Sequence, residues 1–166
     1  MTDNSKTIRE VVICSRKKFP ITEDVKLSSL KSAEVGTPIM VYTPERSPSF
    51  WLVPYVVKKY ACGFAFVELS GSITKIGIFG SAPEDRASWI EVSFFENPPD
   101  NFLREIQAKY FGLALSHPYF SYDRSPAKWA WRLEISDKGK ISSLIFITPS
   151  GWYERNPEKE EQEIEG

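Results

Sequence analysis

Residues 63–79 read GFAFVELSGSITKIGIF, two runs rich in aromatic and β-branched residues on either side of Ser70-Gly71-Ser72. A connection that short joins only antiparallel neighbours, because parallel strands need a crossover of a dozen or more residues. The arrangement returns further along, where residues 129–135 and 141–148 flank Asp137-Lys138-Gly139-Lys140. Two hairpins therefore commit much of the chain to antiparallel sheet. Composition agrees: five Trp, seven Tyr and eleven Phe make 14% of the 166 residues, and large rings favour pleated, half-buried surfaces.

Further strands are expected over residues 8–15, 39–42, 50–57 and 89–95. Pro54 lies inside the third and cannot donate to a ladder, so that strand is expected at an edge or with a bulge. Two helices are expected. One covers residues 23–34, opening on Thr22, Glu23 and Asp24 and ended by Gly36 and Pro38. The other begins at Asp100, with Phe102, Leu103, Ile106, Tyr110, Leu113 and Ala114 at helical spacing before His117-Pro118.

The order β-α-β-β-β-β-β-α-β-β gives an α+β fold. The economical form is a single curved antiparallel sheet of about six to seven strands with two helices packed on one face. In general shape it is similar to cystatin-like and NTF2-like folds, a likeness that implies no function. Residues 1–153 are expected to form one domain. Residues 154–166, ERNPEKEEQEIEG, carry six Glu and lack apolar content, and are expected to be a disordered acidic tail.

One local pattern repeats. ERSPSFW at 45–51, DRASW at 85–89 and DRSPAKW at 123–129 each set an acid, an arginine and a small residue before a tryptophan. The acids lie 40 and then 38 residues apart, a spacing found in structural repeats. Beyond the first and third copies, SGSITKIGIF can be laid on KGKISSLIFI, with Ile73 over Ile141 and Ile76 over Leu144. That points to duplication of a β-rich half. The middle copy does not extend the match. The plain reading is a turn that leads into a strand, its arginine stacked on the ring or paired with the acid. The functional reading gathers Arg46, Trp51, Arg86, Trp89, Arg124 and Trp129 into a cationic, aromatic surface for a protein partner or a small anionic or aromatic ligand.

Catalytic devices are scarce. His117 is the one histidine and Cys14 and Cys62 are the two cysteines. No metal-binding spacing, phosphate-cradling glycine loop or nucleophile elbow is present, so no cofactor and no metal are expected. Glu91 and His117 are the candidates for acid–base work, Glu91 because it alternates with Ile90 and Val92. Setting aside the local balance of −4 over residues 154–166 turns a net charge of −1 into a mildly positive body, with no clustered basic face of the kind nucleic acid requires. No run is long and apolar enough to span a membrane. The expectation is a cytoplasmic, non-catalytic binding or protein-interaction domain, monomeric or homodimeric. One alternative is a small-molecule enzyme or ligand-binding protein with a cavity between sheet and helix, using Glu91 and His117. Another is a self-assembling structural protein whose sheet edges pair, against which Pro54 argues if it marks an edge.

Overall fold

Residues 8–15, IREVVICS, suit a strand by composition, yet they form a helix, α1 (Ser5–Ser15). Ile8 and Val12 stand one helical turn apart and are both buried, so they cover one face. With Ile13 they pack on Val53, Tyr55, Cys62, Ala65 and Val67. Arg9 lies off that stripe and donates from Nε to the Val35 carbonyl at 2.9 Å. A short apolar run fits either period, and here the four-residue spacing decides. This computed structural model describes residues 4–15, 29–80 and 85–157, apart from the side chains of residues 29 and 31. The helix expected at 23–34 falls mostly outside the described residues; its last part is a 3-10 turn, Ser29–Ser32. That turn leads directly into a strand.

The expected single sheet is two. The chain forms two compact units, one from Met1–Met40 and Pro48–Glu96, the other from Val41–Ser47 and Asn97–Gly166. In the first sheet, β1 (Glu34–Val35), β3 (Pro48–Val57), β4 (Tyr60–Glu68) and β5 (Ile73–Ile78) lie side by side; β2 (Ile39–Tyr42) pairs β3 and β6 (Ile90–Glu91) pairs β4. The expected strand at 89–95 is thus only β6. Val92 N–H donates to the Lys59 carbonyl and Phe95 N–H to the Val92 carbonyl. That turns the chain into a short helix, α2 (Ser93–Glu96), burying the adjacent Phe94 and Phe95.

The second unit begins with α3 (Asp100–Lys109), which ends well before His117 because Gly112 takes a positive φ of 86°. Then come β7 (Ala114–Leu115), β8 (Tyr119–Tyr122), β9 (Trp129–Asp137), β10 (Lys140–Thr148) and β11 (Gly151–Arg155). They lie in the order β11-β10-β9-β7, with β8 also on β9. Within the region expected to be a tail, residues 154 and 155 complete β11; residues 158–166 are outside the described set.

The two sheets repeat one register. Glu34 pairs Val56 and Val35 pairs Tyr55; Ala114 pairs Ser136 and Leu115 pairs Ile135, every number raised by 80. Gly36 N–H donates to the Pro54 carbonyl as Ser116 N–H does to that of Glu134. The bulge repeats as well: β4 gains a residue at Cys62 opposite Tyr55/Val56, and β10 gains Ser142 opposite Ile135/Ser136. Even its side-chain bond is kept, from Cys62 Sγ to the Tyr55 carbonyl at 3.4 Å and from Ser142 Oγ to the Ile135 carbonyl at 3.2 Å.

Pro54 is not at an edge. It sits in β3, between β4 and the β1/β2 flank, next to the bulge. The N and C=O of a strand residue point the same way. Since the Pro54 carbonyl is taken by Gly36, its missing N–H faces the break where the chain passes from β1 to β2. No rung of the β3–β4 ladder is lost there.

Candidate functional site

The densest polar arrangement in the second unit surrounds Glu134. β9 places Glu134 beside Arg132 on one face of the sheet, and β8 sets Tyr119 directly opposite Arg132. Arg46 Nη2 donates to Glu134 Oε2 at 2.9 Å, and its guanidinium lies 4.0 Å from the centre of the Tyr119 ring. The Tyr119 hydroxyl stands 3.0 Å from Glu134 Oε1 and 3.1 Å from the Pro44 carbonyl. Burial pushes the Glu134 carboxyl up, but bonds from Ser116, Tyr119 and Arg46 outweigh it and hold the group below the usual carboxylate range. Burial, opposed by Arg132 and reinforced by Glu134, holds the Tyr119 proton on well above the ordinary phenol range. A carboxylate so held is a structural anion and a poor base.

Asp123 is fully buried. Arg155 Nε donates to its Oδ2 at 2.7 Å and the Tyr153 hydroxyl at 2.5 Å, while Arg124 Nε lies 3.5 Å from Oδ1. The turn that presents it closes through Asp123 N–H to Lys128 O and Lys128 N–H to Ser125 O, with Arg124 at a φ of 66°. Arg46, in the turn before β3, has a φ of 65°.

The three arginine–tryptophan motifs take different partners. Arg86 lies over Trp89 at 5.5 Å from the ring centre, in keeping with the plain reading. Arg46 stacks on Tyr119 instead of Trp51, and Trp51 packs against the core beneath α1. Arg124 pairs with Asp123, while Trp129 stacks on Phe120 at 5.8 Å. Arg46, Arg124 and Trp129 belong to the second unit; Trp51, Arg86 and Trp89 belong to the first.

Glu91 is exposed and helps line an open cleft of about 420 Å³ in the first unit. Val35, Val56 and Val92 give the cleft apolar surface, and Glu34, Glu96, Lys58 and Lys59 charge it. It forms at the β3–β4 hairpin, beside the 89–96 segment that stands outside the repeated five-strand pattern. His117 is exposed in the second unit, in the link between β7 and β8. Cys14 and Cys62 are free thiols, and burial pushes the Cys62 thiol up. Among the described residues no three His, Cys, Asp or Glu side chains gather to hold a metal, and no helix is long and apolar enough to cross a membrane.

Sequence reasoning missed a further surface. Phe111, just past α3, is 92% exposed. Next to it, Tyr110 meets Trp152 edge-on at 6.5 Å, and the Trp152 indole N–H donates to Glu105 Oε2 at 2.8 Å. Lys109 Nζ lies 5.4 Å from the Trp152 ring centre and 4.0 Å from Glu154 Oε2. The visible signal was YFG at 110–112, a ring pair before a helix-ending glycine. No family model matches the chain, and neither a curated protein nor a solved structure does.

Proposed function

We propose that the chain is a non-catalytic protein-interaction domain whose contact surface is carried by β11 and the end of α3. The observation behind this reading is Phe111. A phenylalanine left almost wholly in water costs free energy that burial against a partner recovers, and it follows Tyr110, which packs edge-on against Trp152; Tyr and Trp are residue types in which binding energy concentrates. The third copy of the repeated motif supports that surface, its Asp123 holding the Tyr153 hydroxyl and the Arg155 guanidinium of β11. Two unpaired cysteines support a reducing, cytoplasmic setting. The repeated register supports an origin by duplication of one five-strand module.

A photoreactive phenylalanine analogue at position 111 tests the reading. Irradiated in source-cell lysate, the labelled chain gives discrete adducts of higher mass, and unlabelled wild type in excess lowers their yield. Absence of adducts overturns the reading. A second reading, a small-molecule site in the cleft around Glu91, is favoured by the size of that cleft, which matches the lower range of ligand pockets. A cleft variant separates the two, since adducts from position 111 that survive Glu91→Lys do not depend on the cleft.

A further inference from the structure

We infer that the partner of this surface is a second copy of the same chain, joined by antiparallel pairing of β11 with β11 across a two-fold axis at Tyr153. The inference rests on the interaction reading above and adds who the partner is and how it docks. β11 is the terminal strand of its sheet among the described residues. Thr148 and Gly151 close a hairpin over the two residues Pro149 and Ser150, and so must exchange backbone bonds directly. Bonded and non-bonded rungs alternate in an antiparallel ladder. Tyr153 and Arg155 therefore bond back to Phe146 and Leu144, and the N–H and C=O groups of Trp152 and Glu154 point outward from the sheet.

Those outward groups match themselves. Turned about Tyr153, each Trp152 falls opposite the partner's Glu154 in a bonded rung, giving four backbone hydrogen bonds. The two Tyr153 rings meet in the central, close rung, where aromatic pairs are favourable. Gly151 falls opposite the partner's Arg155 and leaves it room. Lys109, which stands by both Trp152 and Glu154, meets the partner's Glu154 on the α3 side. Charge, ring and backbone thus complement one another under a single symmetry operation. Two five-stranded sheets become one continuous sheet.

Among the other outer strands, β5, β1, β6 and β7 are poorer partners for such pairing. β5 has Lys75 in mid-strand and a register break against β4, and lysines and irregularities of this kind discourage edge contacts. On β1 the Val35 carbonyl is capped by Arg9. β6 and β7 are two residues each. β11 pairs through five consecutive rungs without a break and holds neither lysine nor proline.

Light scattering and sedimentation on the full chain at rising concentration test this, with Glu154→Pro as the decisive variant. The Glu154 N–H points away from β10, so proline there leaves the monomer's ladder intact while blocking the pair. Wild type runs at twice the monomer mass, Glu154→Pro runs at the monomer mass with an unchanged far-UV spectrum, and Glu154→Gln, which keeps the N–H, still dimerises. A wild-type dimer indifferent to Glu154→Pro, or a wild-type monomer at every concentration, overturns the inference. In the latter case adducts from position 111 leave the interaction reading standing, and their absence removes both. If Glu154→Pro loses its spectrum, Tyr153→Cys decides: oxidation links two copies through the central rung, or the pairing is wrong.

Discussion

Asp123 shows how a residue can stand in a visible motif while its partners stay hidden. The DRSPAKW motif drew attention to it as the acid beside Arg124, but its tight partners, Tyr153 and Arg155, lie 30 and 32 residues away. The same holds for Arg46, whose bond to Glu134 spans 88 residues. Local sequence shows that an arginine stands on a turn; folding chooses the anion it meets. A buried carboxylate with a guanidinium at 2.7 Å makes a sharp prediction. Asp123→Ala removes the charge that Arg155 and Arg124 face and costs about 3 kcal/mol, the low end for a broken buried pair, because both arginines keep partial access to water. Asp123→Asn keeps an acceptor for Tyr153 and costs less, about 1–2 kcal/mol. Urea midpoints with unchanged slopes measure both; equal losses for the two variants would show that the charge is immaterial.

At the scale of elements, hairpins and aromatic strands were legible and register was not. Laying Ile73 over Ile141 places β5 on β10, whereas the structure sets β4 on β10. Strand side chains alternate with period two, so any even offset reproduces the apolar pattern; the strand pairings and the bulges at Cys62 and Ser142 reveal that 80 is right. Strands of two residues such as β1 and β7 give no periodicity to find, and β8 and β11 are nearly as short. The repeat also shows where the copies diverge. Gly63 occupies the place of Ser143, and a Cβ on Gly63 would stand 2.6 Å from the Gly77 carbonyl and 2.7 Å from Leu30 Cδ2. Backbone cannot yield as a side-chain tip can. Gly63→Ala should therefore destabilise by about 1–3 kcal/mol through overpacking, while Ser143→Ala, where a Cβ already fits, changes stability by less than half as much. Thermal midpoints of the two variants compare them, and equal shifts would place the constraint elsewhere.

Across the whole molecule, one connectivity supports two chemistries. The row Leu52–Phe66–Lys75 crosses the first sheet, and its counterpart Tyr119–Arg132–Phe146–Tyr153 crosses the second. Arg132 lies 5.3 Å from the Phe146 ring centre, and Tyr153 stacks on that ring at 5.4 Å. The first sheet is held on this face by apolar contact, which is indifferent to pH. The second is tied to Glu134, whose carboxyl titrates below its unfolded value. A lowered folded pKa means that the stabilisation is fully present above the unfolded carboxylate range and is lost as pH falls through the folded value. Acid should therefore loosen the second sheet first. Hydrogen exchange, corrected for the intrinsic rate at each pH, checks this: amides of β8, β9 and β10 lose protection between neutral pH and the acid side of the carboxylate range, while those of β3 and β4 keep theirs. Glu134→Gln removes the titrating group, so its second sheet starts less protected and changes less with acid. Uniform loss across both sheets would mean that the Glu134 cluster does not govern the acid response, and that the two units answer to pH as one.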